Sequence, residues 1–222
     1  MLERLSIVIP AGLGDTAWRG LLPQLEPVSI REIVLVRTEL DDVLTASLPF
    51  NVREVRSEAG RARQLNAGAA SSTGDWLWFL HADSRLTPKA LSSLNRFVAQ
   101  DSNSIGYFDL RFLGDGPALT AINTFGTWWR TRLFGLPFGD QGFVMPRRVF
   151  AMLGGFDESL PSAEDHAIVW TARRAGVQVQ PVGAFIHTSA RKYAQRGWWK
   201  TTRQHLMLTW KQARTFSRGD RS

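Results

Sequence analysis

Residues Trp76-Leu77-Trp78-Phe79-Leu80 follow Gly74-Asp75 and run without a polar interruption into His81-Ala82-Asp83. A near-continuous apolar run of this kind predicts a strand buried on both faces, as in a parallel sheet covered by helices. The neighbouring segments agree. Leu5 to Ala11 reads as a strand that meets a loop at Pro10, Glu32 to Arg37 as a second strand and Asn51 to Arg56 as a third. Helices are expected over Ala17 to Leu25, Gly60 to Ala70 and Pro88 to about Ala99, where Pro88 suits a first helical position. Strand alternating with helix at this spacing predicts a doubly wound α/β arrangement. Further on, Ile105 to Phe112 alternates with period two, with Phe108, Leu110 and Phe112 on one face and Tyr107, Asp109 and Arg111 on the other. A short strand over Phe143 to Met145 and helices over Arg147 to Leu153 and Ala163 to Ala175 complete the pattern.

The chain has 222 residues, which suits one large domain or one domain with an appendage, and 44% of it is hydrophobic, enough for a sizeable core. It contains no cysteine, which excludes disulfides, thiolate metal sites and cysteine nucleophiles and fits a reducing cytoplasm. A net charge of +7 points to anionic partners. The start, Met1 to Pro10, lacks the pattern of a secretory signal, and no stretch reaches the roughly 20 apolar residues a membrane span needs. Residues 117–138 are apolar but carry Arg130 and Arg132, and read as a buried or interfacial segment.

Residues 197–218 predict an amphipathic helix. Trp199, Thr202, Leu206, Trp210 and Ala213 share one face, and Lys200, Arg203, Lys211, Arg214 and Arg218 the other. Packing on the domain's own core and lying on an anionic membrane surface are both open to such a helix. Basic residues interleaved with tryptophans can also stack on bases, but no groove-reading helix or RNA-binding signature accompanies them, and nucleic acid is not expected as a partner.

Three acidic stations punctuate the chain where loops leave strands or enter helices. Asp83, at the end of the apolar strand, can share a hard cation such as Mg²⁺ or Mn²⁺ with a diphosphate, with His81 as a direct or supporting ligand. As a lone signal, a carboxylate there also serves as a turn former. Asp140 and Gln141, between Gly139 and Gly142, can hydrogen-bond sugar or acceptor hydroxyls or make a polar turn. Glu164 and Asp165 open a helix behind Ser162, which reads as its cap. Asp165 there is a candidate general base. Arg61 and Arg63 open the helix that contains Asn66, and a helix start with arginines favours phosphate. His187 and the Arg191-Lys192-Tyr193 cluster follow the last strand and are candidates to close over phosphates.

In order along the chain, Leu5 to Ala11, Gly60 to Ala69, Gly74 to Asp83, Gly139 to Gly142, Leu153-Gly154-Gly155-Phe156 and Glu164-Asp165 resemble the motifs of glycosyltransferase family 2. The His-Ala-Asp triplet is similar to that of a small bacterial subgroup often associated with arsenosugar biosynthesis. The resemblance covers roughly residues 5–200. It implies a GT-A fold with a mixed, mostly parallel central sheet flanked by helices. It divides the chain into a transferase domain at 1–196 and an amphipathic tail helix at 197–222.

The resemblance further implies a metal-dependent enzyme that transfers a single sugar from a nucleotide-diphosphate sugar to an acceptor hydroxyl of unknown identity, with inversion. Pro10, Ala11, Arg61, Arg63, Asn66, Asp140 and Gln141 would bind substrates. Asp83 and His81 would hold the metal, and Asp165, with Glu164, would be catalytic. The expected location is the cytoplasm, with peripheral contact at the inner membrane face. Two departures stand out. Gly12 to Asp15 replaces the usual Asn-Glu pair after the first strand, and Val36-Arg37-Thr38 replaces an expected Asp at the end of the second. They open an alternative: a catalytically impaired domain that binds an anionic ligand or a membrane surface.

Overall fold

The computed structural model describes residues 1–44, 47–49, 51–113, 137–160 and 162–188. Its centre is a seven-stranded sheet in the order β3-β2-β1-β4-β6-β5-β7. The strands are β1 (Leu5–Pro10), β2 (Glu32–Thr38), β3 (Val52–Ser57), β4 (Trp76–Phe79), β5 (Ser104–Phe112), β6 (Val144–Pro146) and β7 (Gln178–Thr188). β1 pairs in parallel with β2 and β4, β2 with β3, and β5 with β7, while β6 lies antiparallel between β4 and β5. Six strands therefore point one way. Their carboxyl ends, at Pro10, Thr38, Ser57, Phe79, Phe112 and Thr188, share one edge, where open α/β sheets bind ligands.

The apolar strands divide their side chains between two cores, one on each face. Trp76, Trp78 and Leu80 join Ile7, Ile9 and Phe108 on one side, and Leu77 and Phe79 join Val8, Val34 and Met145 on the other. That division is what a run without polar residues requires. The same holds for β5. Its alternation separates Phe108 and Leu110 from Tyr107 into the two cores, rather than core from solvent.

The helices are α1 (Leu22–Leu25), α2 (Arg61–Ser71), α3 (Pro88–Ala99), α4 (Arg147–Met152) and α5 (Glu164–Arg174). α2 lies close against the sheet. A Cβ on Gly68 would stand 2.3 Å from Val8 Cγ1 and 2.8 Å from Val36 Cγ2, so only glycine permits that approach. α3 starts as expected, with Pro88 in the first turn and the Thr87 hydroxyl accepting from the Ala90 amide. Two expectations are corrected. The helix expected over Ala17 to Leu25 is broken into a 3-10 turn at Ala17–Gly20 and the single turn α1, because Pro23 has no amide to continue a helix. Ser162 does not cap α5. Ala163 holds that position with φ +77°, a left-handed conformation that side chains disfavour.

Among the described residues no helix is long and apolar enough to cross a membrane. The helix expected at 197–218, the cluster at 191–193 and residues 117–136 of the apolar segment lie outside the described residues.

Candidate active site

Four separate parts of the chain meet at the carboxyl edge beside β4. Arg61, at the start of α2, donates to His81 Nδ1 at 3.1 Å, and its Nε lies 3.6 Å from Glu164 Oε1 at the start of α5. A guanidinium can only donate, so Nδ1 is the acceptor and the ring proton resides on Nε2. The Gly139 amide donates to Asp165 Oδ2 at 2.8 Å, and the His166 amide donates to Asp165 Oδ1 at 2.8 Å. Each oxygen of Asp165 is thus fixed by a backbone N–H and keeps lone pairs to accept a proton. The fit at Gly139 is tight. A Cβ there would stand 3.2 Å from Asp165 Cβ and 3.6 Å from His81 Nε2, so glycine lets the turn, the histidine and the carboxylate share this space.

Glu164 is 5% exposed. Burial pushes its carboxyl pKa up, the neighbouring Asp165 charge adds to the rise, and Arg61 opposes it. An acid buried beside another acid and next to a left-handed alanine is the kind of strained arrangement that clusters at functional sites.

Asp83 lies two residues beyond His81 and is half-buried. It accepts from the Thr188 hydroxyl at 3.3 Å, which ties the β4 loop to the end of β7. The main chains of Arg85 and His187 pair with each other in the same region. Burial, then the Arg111 charge, lowers the His187 pKa and favours its neutral form. Among the described residues no three His, Asp or Glu side chains converge as a metal site. Asp83 offers a carboxylate that, with substrate oxygens and water, would suit Mg²⁺ or Mn²⁺. Of the two ring nitrogens of His81, Nδ1 already faces the Arg61 guanidinium.

The other expected site residues are placed as follows. Pro10 ends β1 and Ala11 follows it, and the Ala11 carbonyl accepts from the buried Gln64 side-chain amide at 2.6 Å. Arg63 pairs with Glu58 at 2.9 Å on an exposed flank. Asn66 lies in the middle of α2. It accepts from the Phe156 amide and donates to the Phe156 carbonyl and to Glu158, clamping α2 to the Gly154-Gly155 turn. Gln141 is 1% exposed, accepts from the Phe138 amide and donates to the Phe108 carbonyl, fixing the turn to β5. Asp140 lies half-buried in that turn. Sequence reasoning did not single out Thr188 or the stacked pair Phe138 and His166, whose ring centroids lie 4.2 Å apart. It also missed the part played by Asp41, which accepts from the Gly14 amide at 2.8 Å and joins the loops after β1 and β2.

A six-to-one parallel sheet with acidic groups gathered at its carboxyl edge defines a GT-A-type α/β domain. The family model for Glycosyl transferase family 2 matches residues 37–160, more than half of the chain, and the protein belongs to that family. Among solved structures it is similar to TarS 1-349 from S. aureus, at TM-score 0.61 and 14% identity, covering 83% of this chain and 60% of that one. TarS in complex with UDP-GlcNAc matches at 16% identity and TM-score 0.61, covering 83% of this chain and 58% of that one. The complex with UDP matches at 15% identity and TM-score 0.61, covering 84% and 60% respectively. The chain thus spans about three fifths of the length of these relatives. No curated protein sequence matches it.

Proposed function

We propose that the protein transfers a single sugar from a nucleotide-diphosphate sugar to an acceptor hydroxyl, with inversion. Membership of the family and the UDP-GlcNAc and UDP complexes of the similar TarS support a nucleotide-sugar donor. The observation that carries the reading is Asp165, with each oxygen fixed by a backbone N–H at the sheet's carboxyl edge, beside His81 and Arg61.

In the proposed step Asp165 takes the proton from the acceptor hydroxyl. The acceptor oxygen forms its bond to the anomeric carbon as the bond from that carbon to the diphosphate oxygen breaks, and the nucleoside diphosphate leaves with the electron pair. Attack on the face opposite the leaving group inverts the centre. Asp83 would hold a divalent cation, which would supply charge neutralisation on the diphosphate. His81 presents its Nε2 proton beside Asp165, and Arg61 fixes that orientation while its charge offsets Glu164. Within the family, the His-Ala-Asp triplet favours the arsenosugar-associated subgroup as our narrower assignment. Residues 1–196 would form the transferase domain and 197–222 a tail that meets an anionic membrane surface from the cytoplasmic side.

A second reading has its own support. The loops after β1 and β2 are closed on each other through Asp41, which favours a domain with weakened donor binding that acts as an anionic-ligand or membrane-surface binder.

Release of nucleoside diphosphate from UDP-, GDP-, dTDP- and CDP-sugars in Mn²⁺ tests the proposal. The expected result is turnover of one donor class, lost in Asp165→Asn and Asp83→Ala while both variants stay folded. Wild-type rates in both variants would remove these roles. No turnover of any donor by folded protein would favour the binding reading.

A further inference from the structure

The turn Phe138 to Gln141 is held from two sides. On one, Gln141 accepts from the Phe138 amide and donates to the Phe108 carbonyl, anchoring the turn to β5. On the other, the Gly139 amide donates to Asp165. Above that bond the Phe138 ring stacks on His166, with centroids 4.2 Å apart and planes inclined by 27°. His166 is 2% exposed and directly follows Asp165 in the first turn of α5. Its amide fixes the second Asp165 oxygen at 2.8 Å. One residue therefore contacts the carboxylate through its backbone and the turn that carries the other donor through its ring.

We propose that His166 is a positioning residue. Its ring clamps Phe138 so that the Gly139 amide stays on Asp165 and aims that carboxylate at the reacting hydroxyl. The role in turnover rests on Asp165 being the general base. The clamp itself does not. Without the stack, the Gln141 anchor would still hold the turn to β5, and the Gly139–Asp165 hydrogen bond would lose the ring contact that braces it against α5. A base turned away from its proton by about 1 Å loses rate even when binding is intact. Phenylalanine, which keeps a flat ring of similar size, should preserve the clamp, whereas leucine or alanine should not.

The test has two arms. Amide exchange at Gly139, followed by NMR, is expected to be slow in the wild type and about 10-fold faster or more in His166→Ala. It should be restored in His166→Phe, with the β4 amides unchanged in all three. If the alanine variant fails to fold, His166→Leu takes its place. Unchanged Gly139 exchange in the alanine or leucine variant overturns the clamp. In the second arm, with the donor found active above, His166→Ala should lower kcat about 10-fold and leave donor KM within about twofold, with recovery in His166→Phe. Faster exchange with unchanged kcat overturns the positioning role. Asp165→Asn separates the two ideas: full turnover in that variant defeats the general-base reading, while the exchange arm still decides the clamp.

Discussion

Two loop clusters share the carboxyl edge of the sheet and are built on opposite principles. At β1 and β2, buried charge is paired and hydrogen-bonded. Asp41 accepts from the Gly14 amide and from the amide and hydroxyl of Thr38, and its side chain lies 3.6 Å from Arg37. Arg37 and Arg56 both bond the Asp42 carbonyl and pair with Glu54. Burial would raise the Asp41 carboxyl pKa, but these hydrogen bonds outweigh it and lower it overall. At β4 and α5, in contrast, Glu164 is buried with its carboxyl pKa raised, beside another acid and a left-handed alanine. The first cluster is arranged to hold two loops together. The second tolerates strain, which a fold retains where chemistry needs it.

The largest effects should separate the clusters by what fails. Asp165→Asn is expected to reduce glycosyl transfer by about 10² to 10⁴-fold while the protein still melts as one cooperative unit, as measured by product release and thermal melting. Asp41→Ala should do the reverse first. It leaves the Gly14 and Thr38 amides without their acceptor and removes one of the two acids that face Arg37, and denaturant titration should show a loss of about 2–4 kcal/mol. If Asp41→Ala stayed fully stable, the contrast would collapse.

Ala163→Gly sharpens the comparison. Glycine adopts φ +77° without the Cβ penalty, so the variant should gain about 1 kcal/mol in the same titration. A loss would mean that the alanine methyl group makes contacts that outweigh the strain.

The smallest effect follows from Glu164. Its folded pKa lies above the unfolded value, so its ionised form opposes folding at neutral pH, and the penalty disappears as pH falls below the unfolded pKa near 4.5. Glu164→Gln should therefore raise the melting temperature slightly at pH 7 to 8 and lose that gain toward pH 4. A gain that grew toward low pH would reverse the assigned sign.

Much of the fold was legible because its signals are local. The run Trp76 to Leu80 has no polar face to show water, and Thr87-Pro88 marks a helix start by its own chemistry. Pro23 was equally visible, yet the expected helix ran through it. The apolar pattern on either side outweighed a missing amide that the chain cannot replace. The site was legible only in part. Asp83 stands in a loop and Glu164 and Asp165 in the first turn of α5, positions that a motif can locate. The hydrogen bond from Gly139 to Asp165 joins residues 26 apart, and that from Gly14 to Asp41 residues 27 apart, so no local pattern announces either. Asn66 and Gln141 show the same limit, since each makes backbone hydrogen bonds across the fold that its position in the sequence does not reveal. An amide side chain that clamps backbone and one that reads a ligand are the same residue type, and only packing tells them apart.

The most direct test of the central claim is thermal unfolding with UDP, GDP, dTDP and CDP, each with and without Mn²⁺, in the wild type and in Asp83→Ala. A ligand that binds only the native state at about 100 times its Kd adds about 2.7 kcal/mol, a shift of several degrees for a domain of this size. The account predicts such a shift with one nucleotide, requiring Mn²⁺ and lost in Asp83→Ala. No shift with any nucleotide in a cooperatively folded sample would contradict it.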